Sequence, residues 1–191
     1  VTYSELSPIL VDALISTEDI RFRNHSGIDI KSLLRAIYGI IIGNSSSGGA
    51  STISQQLSKM LFTKKPSSGI ERVKQKLKEW VVAVELEKRY SKNEIISMYL
   101  NRFDWINQAV GISSASRIYF NSTPNNLTTT EAAMLVGMLK NPSLYNPRRN
   151  PEGVQNRRNV VLSQMKKNNK ISQTEYDSLK ALPLGLNFQI V

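Results

Sequence analysis

Glu18 is the first side chain whose position suggests chemistry. It falls four residues after Leu14 and seven after Val11, so it continues the apolar face of a predicted first helix. A carboxylate at the edge of an apolar face is partly desolvated, and that environment suits a general base. On position alone, a solvated glutamate at a helix end is the commoner case.

Glu79 is a second acidic candidate. It lies three residues after Lys76, where a long predicted helix becomes apolar on every side from Trp80 to Val84. That all-round pattern predicts that the stretch passes through a core. A Lys–Glu pair at this spacing is usually a surface ion pair worth about 0.2–0.5 kcal/mol, so the pair alone does not indicate a site.

A polar stripe on a predicted third helix has the right groups to hold an anion. Three residues at helical spacing form it: Thr52, Gln55 and Lys59. Gln56 lies beside the stripe, and Ser51 precedes it after a glycine-rich loop. Such a loop, followed by hydroxyl, amide and ammonium groups, can cradle phosphates and sugars. A plain solvated helix face would show the same pattern.

The basic composition predicts an anionic partner. The chain carries 25 Lys and Arg against 15 Asp and Glu, a formal net charge of +10. Nucleic acid, an anionic membrane face and a phosphate-bearing substrate all fit that charge. The absence of cysteine excludes disulfides and thiol nucleophiles. The single histidine, His25, disfavours a histidine metal site or a Ser-His-Asp triad.

The elements that would position these side chains are predicted to be helices, so the class is mainly α. Helix starts are predicted at Ser7 with Pro8 and at Asp29, and a long helix is predicted over 70–90. The apolar run 132–139 is predicted to be a buried helix. Capping boxes open three later helices: Ser91 with Glu94, Thr128 with Glu131, and Ser172 with Glu175.

The length of 191 residues fits one domain, or one domain with a small second lobe. No run approaches the roughly 18–20 apolar residues that a membrane span needs. Because the sequence starts at Val1 without an initiator Met, we expect a fragment of a longer protein, with any membrane anchor outside it.

Five segments resemble, in order, the motifs of one enzyme family. They are EDIRFRNHSG at 18–27, GGASTISQQLSK at 48–59, Lys76-x-x-Glu79, KNEIISMYLN at 92–101 and EAAMLVGMLKNPSLYNP at 131–147. The first matches every fixed position of an ED-x-x-F-x-x-H-x-G pattern. Together they resemble the family 51 peptidoglycan glycosyltransferases, which occur in bifunctional class A penicillin-binding proteins and as monofunctional enzymes.

The resemblance implies a single domain over 1–191, with a lysozyme-like helical head lobe and a smaller, membrane-apposed jaw lobe. The jaw would span about residues 28–70. The apolar segment 33–42 would lie in it, and its interruption by Arg35 suits an interfacial position better than a span. Core packing is the other interpretation of that segment.

The resemblance also implies polymerisation of lipid II into glycan strands. The lipid-pyrophosphate-linked chain would be transferred with inversion to the 4-hydroxyl of lipid II, forming a β-1,4 bond. Glu18 would be the base, and Glu79 the second carboxylate, on the pyrophosphate side. The implied substrate-binding residues are Ser51, Gln55, Gln56, Lys59 and Lys76, joined on charge and proximity in sequence by Arg21, Lys64 and Lys65.

The implied partners are lipid II, the nascent glycan strand, an anionic membrane surface and moenomycin-type inhibitors, with no nucleic acid. The implied location is the outer face of the bacterial cytoplasmic membrane. No cofactor is expected to be required, and no residue of this chain is expected to bind a metal. A divalent cation, magnesium or manganese, is nevertheless compatible with the family.

Two positions depart from the family pattern. Gln75 stands where a basic residue is usual, and Ile106 stands where glycine is common. The first is expected to weaken pyrophosphate contacts and the second to alter a loop. Since neither replaces a carboxylate, we expect activity.

Two other functions fit parts of the sequence. A peptidoglycan hydrolase or lytic transglycosylase could also use two acidic residues on a lysozyme-like fold. The segment 48–59 argues against it, because a hydrolase has no pyrophosphate to hold. A nucleic-acid-binding module would cluster basic residues on one helix with aromatics, whereas here they are spread from Arg21 to Lys180.

Overall fold

A computed structural model describes residues 1–43, 51–62 and 68–189. Within these ranges the chain forms helices, and its one β-type pairing is an isolated bridge between Asp104 and Val110. The predicted mainly α class is confirmed. The α-helices are α1 (Pro8–Glu18), α2 (Ile30–Ile41), α3 (Ile53–Phe62), α4 (Gly69–Arg89), α5 (Lys92–Arg102), α6 (Ile112–Phe120), α7 (Thr129–Met138), α8 (Pro151–Lys167) and α9 (Gln173–Ala181).

The chain divides into two compact units, residues 18–99 and residues 1–17 with 100–191. The first unit contains α2 to α4 and most of α5, and the second contains most of α1 and α6 to α9. The predicted jaw, 28–70, falls within the first unit, and its limits stay a prediction.

Side-chain hydrogen bonds start several helices where the sequence predicts. Ser7 Oγ accepts from Leu10 N at 3.3 Å at the start of α1. Asp29 Oδ1 accepts from Ser32 N at 3.1 Å at the start of α2. The three predicted capping boxes form at α5, α7 and α9. These bonds satisfy backbone N–H groups that a first helical turn leaves unpaired.

In the unit 18–99, α3 packs against α4. The core side chains include Ile53 and Leu57 from α3 and Ala83 and Leu86 from α4. The prediction that the apolar stretch of α4 passes through a core is wrong, because Val81 is 65% exposed. An all-apolar stretch does not reveal which of its sides a neighbouring element covers, and here α4 is buried along one side.

The helix predicted after Asp29 is confirmed as α2, and most of its apolar side chains are exposed. The exposed fraction is 46–76% for the following residues: Ile30, Leu34, Ile37, Tyr38 and Ile41. The core interpretation of this segment therefore fails for these side chains. In the described ranges, every helix is too short or too polar to span a bilayer. The interfacial role of α2 stays a prediction.

In the unit formed by 1–17 and 100–191, α7 packs on α8. All residues from Ala132 to Met138 are buried, which confirms the predicted buried helix. Arg158 of α8 is also fully buried. Its guanidinium donates to the carbonyl oxygens of Lys180 at 3.1 Å and Pro183 at 2.8 Å, so it holds the end of α9 against α8.

The loop 19–27 lies directly on α4 at Gly27. This residue has a φ of +96°, a conformation that favours glycine. A Cβ here would lie 2.8 Å from the carbonyl carbon and oxygen of Ala83. Thr52 Oγ1 also donates to the Gly27 carbonyl oxygen at 2.7 Å. The loop is therefore held both by α4 and by the residue that precedes α3.

The backbone at Ile106 adopts a conformation that favours glycine. Ile106, Asn107 and Gln108 have φ values of 57°, 50° and 66°, three consecutive residues in the left-handed region. Asp104 Oδ1 accepts from Ile106 N at 2.7 Å and helps to hold this turn. Glycine adopts this conformation without the steric cost that a β-branched residue incurs.

Replacing Gly27 with alanine should destabilise the chain strongly. The added Cβ would meet Ala83 backbone atoms that cannot move without shifting α4, and the positive φ adds strain. We expect the free energy of unfolding to fall by about 3 kcal/mol, measured by urea denaturation. Gly69→Ala is the matched control, since no atom lies within 4 Å of its Cβ position. Equal urea midpoints for the two variants would contradict the packing of the loop on α4.

Glycine should be more stabilising than alanine at position 106. This is the reverse of the usual order, in which alanine is the more stabilising of the two. Ile106→Gly and Ile106→Ala both remove the side chain, so their difference isolates the left-handed backbone. We expect the glycine variant to unfold with a free energy about 1 kcal/mol higher. At exposed Lys74 inside α4, the same pair should show alanine ahead by about 1 kcal/mol. The usual order at both positions would contradict the backbone conformation described at Ile106.

Candidate active site

Glu18, the last residue of α1, is half-buried and bonded to an amide. Gln56 Nε2 donates to Glu18 Oε2 at 2.8 Å. The hydroxyl of Tyr99 donates in turn to Gln56 Oε1 at 2.9 Å. Burial and the nearby Glu18 charge both raise the pKa of Tyr99 well above its ordinary value, so this phenol stays protonated. Glu18, Gln56 and Tyr99 form what we call the Glu18 cluster.

Asp19 fastens the loop that follows Glu18 to the start of α3. Its Oδ2 accepts from Ile53 N at 3.1 Å, where a helix N-terminus favours negative charge. His25 Nε2 lies 2.9 and 3.1 Å from the two carboxylate oxygens of Asp19. Because Gly27 N donates to His25 Nδ1 at 3.2 Å, the ring proton lies on Nε2 and is donated to Asp19.

Glu79 of α4 is buried and accepts hydrogen bonds from two side chains of the same helix. Gln75 Nε2 donates to Glu79 Oε1 at 3.2 Å, and Lys76 Nζ donates to Oε2 at 3.2 Å. Lys76 Nζ also donates to Ser51 Oγ at 2.8 Å. The Glu79 side chain is only 6% exposed, so this pair differs from an ordinary surface ion pair. Glu79, Gln75, Lys76 and Ser51 form the Glu79 cluster.

The start of α3 contributes to both clusters. Ser51 lies just before the helix and belongs to the Glu79 cluster, and Gln56 in its first turns belongs to the Glu18 cluster. Gln75, one of the two positions that depart from the family pattern, donates its neutral amide to Glu79. The two carboxylates differ in their partners, because Glu18 accepts from a neutral amide and Glu79 accepts from an amide and an ammonium.

The other predicted site residues on and near α3 are placed differently. Gln55 is 2% exposed, and its Oε1 accepts from Thr52 N at 3.2 Å. Thr52 is also buried. Both residues lie buried at the start of α3 and are not part of an exposed polar face, and the substrate-binding role of Gln55 stays a prediction. Lys59, in the last turn of α3, is exposed.

Arg21 is engaged with the first turn of α2. Its Nε and Nη2 donate to the Asp29 carboxylate at 3.1 and 2.8 Å, and Nη2 also donates to Ser32 Oγ at 3.0 Å. Burial opposes ionisation of Asp29, but the hydrogen bonds from Arg21 and Ser32 outweigh it and lower the Asp29 pKa to about 2. Lys64 and Lys65 lie outside the described residues.

Tyr99 is the site residue that sequence reasoning missed. It lies in the fourth of the five motif segments, KNEIISMYLN, but its spacing along the chain does not point to Glu18. Only the packing of α5 near α3 brings its hydroxyl to Gln56. Among the described residues, no group of three or more His, Cys, Asp or Glu side chains could hold a metal ion.

Comparison with known proteins agrees with the motifs. The model of the family described as Transglycosylase matches residues 1–166. Penicillin-binding protein 1A of Vibrio cholerae is 37% identical over 180 residues, 94% of this chain and 21% of that protein. Penicillin-binding protein 1A/1B of Bacillus subtilis is 39% identical over 185 residues, 94% of this chain and 19% of that protein. The chain thus spans about a fifth of the length of these relatives.

A solved structure is also similar. The crystal structure of penicillin-binding protein 1A from Haemophilus influenzae has 27% sequence identity to this chain and a TM-score of 0.45, covering 71% of this chain and 17% of that one. The family predicted from the five motifs is confirmed by the match over residues 1–166 and by the relatives. The chain belongs to the transglycosylase family, the peptidoglycan glycosyltransferase domain of penicillin-binding proteins.

Proposed function

We propose that this chain polymerises lipid II by transferring the lipid-pyrophosphate-linked glycan, with inversion, to the 4-hydroxyl of lipid II. The observation that carries the proposal is the Glu18 cluster, a half-buried carboxylate held in place by an amide donor. The family supports the enzyme class, and the β-1,4 bond chemistry is the further step proposed here.

Glu18 acts as the general base. The acceptor oxygen forms a bond to the anomeric carbon while its proton passes to Glu18. The bond between that carbon and the pyrophosphate oxygen breaks, and its electron pair leaves with the pyrophosphate. Gln56 binds one oxygen of Glu18, which orients the carboxylate before the acceptor arrives.

The departing pyrophosphate needs positive charge and hydroxyl donors. Lys76, Ser51 and the exposed Lys59 supply them, and stabilising a developing anion in this way is usually a large term in catalysis. Glu79 keeps the Lys76 ammonium in position through their 3.2 Å contact. Arg21 is a weaker candidate, because Asp29 already neutralises much of its charge.

The membrane is the second proposed partner. The exposed apolar side chains of α2 and the net charge of +10 together suit a helix that lies in an anionic lipid interface. A lipid-linked substrate has to be met at such a surface, on the outer face of the cytoplasmic membrane. Moenomycin-type phosphoglycolipids, which resemble the donor, would compete for the same site.

Glu18→Gln should abolish polymerisation while leaving the fold intact. Loss of the proton acceptor should lower the rate of polymer formation by about 10²- to 10⁴-fold. The assay incubates labelled lipid II in detergent and separates polymer from monomer, with the thermal midpoint measured in parallel. Glu94→Gln is the matched control, because glutamine keeps the capping box at the start of α5.

Each outcome of this experiment decides the proposal. A folded Glu18→Gln variant with most of the wild-type rate would remove Glu18 from its assigned role. The wild type should also be tested on mature peptidoglycan, which carries no pyrophosphate. Cleavage of that material without polymer formation from lipid II would identify a hydrolase and overturn the proposal.

A further inference from the structure

Tyr99 is a buried polar group with no role in the transfer reaction proposed for Glu18. Its side chain, which extends from α5, is fully buried, and its hydroxyl lies 2.9 Å from Gln56 Oε1. A phenol in such a place has to satisfy its hydrogen bond inside the protein, since water does not reach it. The Tyr99 hydroxyl donates to the same amide that binds Glu18.

The direction of these two bonds is determined by the groups themselves. A protonated phenol can donate to the amide oxygen, and this leaves the amide NH₂ group to face Glu18. If the amide were rotated by half a turn, its oxygen would face the Glu18 oxygen, and two acceptors would meet. That arrangement is satisfied only when Glu18 is protonated, which is the form that cannot act as a base.

A second set of polar contacts connects α3 and α5, through Glu87 of α4. Ser54 Oγ donates to Glu87 Oε1 at 2.5 Å, and Lys92 Nζ donates to the same oxygen at 2.7 Å. Ser54 lies two residues before Gln56 on α3, and Lys92 is the first residue of α5. The helix that carries Tyr99 is therefore also held at its first residue, Lys92.

We propose that Tyr99 is a positioning residue for catalysis: by donating to Gln56 Oε1, it holds the amide so that its NH₂ group orients the Glu18 carboxylate. This assignment rests on the proposed function of Glu18. The Tyr99 hydroxyl acts on the Glu18 carboxylate through the Gln56 amide, to which it donates. Without its hydroxyl, the Gln56 amide loses the partner on one side and is free to leave Glu18.

The test is Tyr99→Phe, which removes the hydroxyl and keeps the buried ring. We expect kcat for polymerisation to fall about tenfold, as for loss of one neutral hydrogen bond, with KM for lipid II within about twofold of wild type. Tyr90→Phe is the matched control, because that ring is 42% exposed at the end of α4. It should leave both constants unchanged.

A double-mutant cycle separates this role from general packing. In a Gln56→Leu background, Tyr99→Phe should have no further effect on kcat, because the group it acts through is gone. Independent losses that multiply in the double variant would overturn the proposal. So would a Tyr99→Phe variant that polymerises with the wild-type kcat.

Hydrogen exchange of the Gln56 side chain tests the positioning role of Tyr99 without an activity assay. In wild type, the side-chain amide protons of Gln56 should be protected from hydrogen exchange, and Tyr99→Phe should accelerate their exchange at least about tenfold. Equal exchange in both would overturn the positioning role. A wild type that forms no polymer but shows this protection would instead refute the proposed function and leave the Tyr99 contact standing.

Discussion

The contact between the Asp19 carboxylate and the N-terminus of α3 is the interaction on which the site depends. Asp19 receives a hydrogen bond from Ile53 N at 3.1 Å, and His25 holds the same carboxylate from the loop. A negative charge at a helix N-terminus is stabilised by the unpaired N–H groups there. Because Glu18 directly precedes Asp19, this contact also places Glu18 beside Gln56, one turn further along α3.

The two carboxylates of the site are held in different ways, and the proposed mechanism gives each a different task. Glu18 is half-buried and bonded to a neutral amide, which leaves it able to accept a proton. Glu79 is buried and bonded to an ammonium and an amide, which suits a fixed negative charge that organises Lys76. Pairs of acidic groups in contrasting environments are the usual means of separating a base from a supporting charge.

Much of the fold could be predicted from the sequence, because helix starts and helical periodicity are local properties. The caps at Ser7 and Asp29 are examples, and five ordered motifs sufficed to identify the family. The burial of individual side chains was harder to predict, because it depends on which neighbouring element covers a given side of a helix. Thus Gln55 faces the interior although its spacing suggested a substrate-facing stripe, and the contact of Tyr99 with Gln56 joins residues 43 positions apart.

Whether Asp19 organises the active site is tested most directly by the polymerisation rate of Asp19→Ala at saturating lipid II. Without this carboxylate, the loop loses its bond to α3, and Glu18 should no longer stay beside Gln56. We expect a loss of at least about 100-fold, a size typical of a misplaced catalytic group, with helical content retained by circular dichroism. Asp12→Ala, which removes a half-exposed partner of Lys170, should keep the wild-type rate. A folded Asp19→Ala variant that polymerises as fast as wild type would contradict this role.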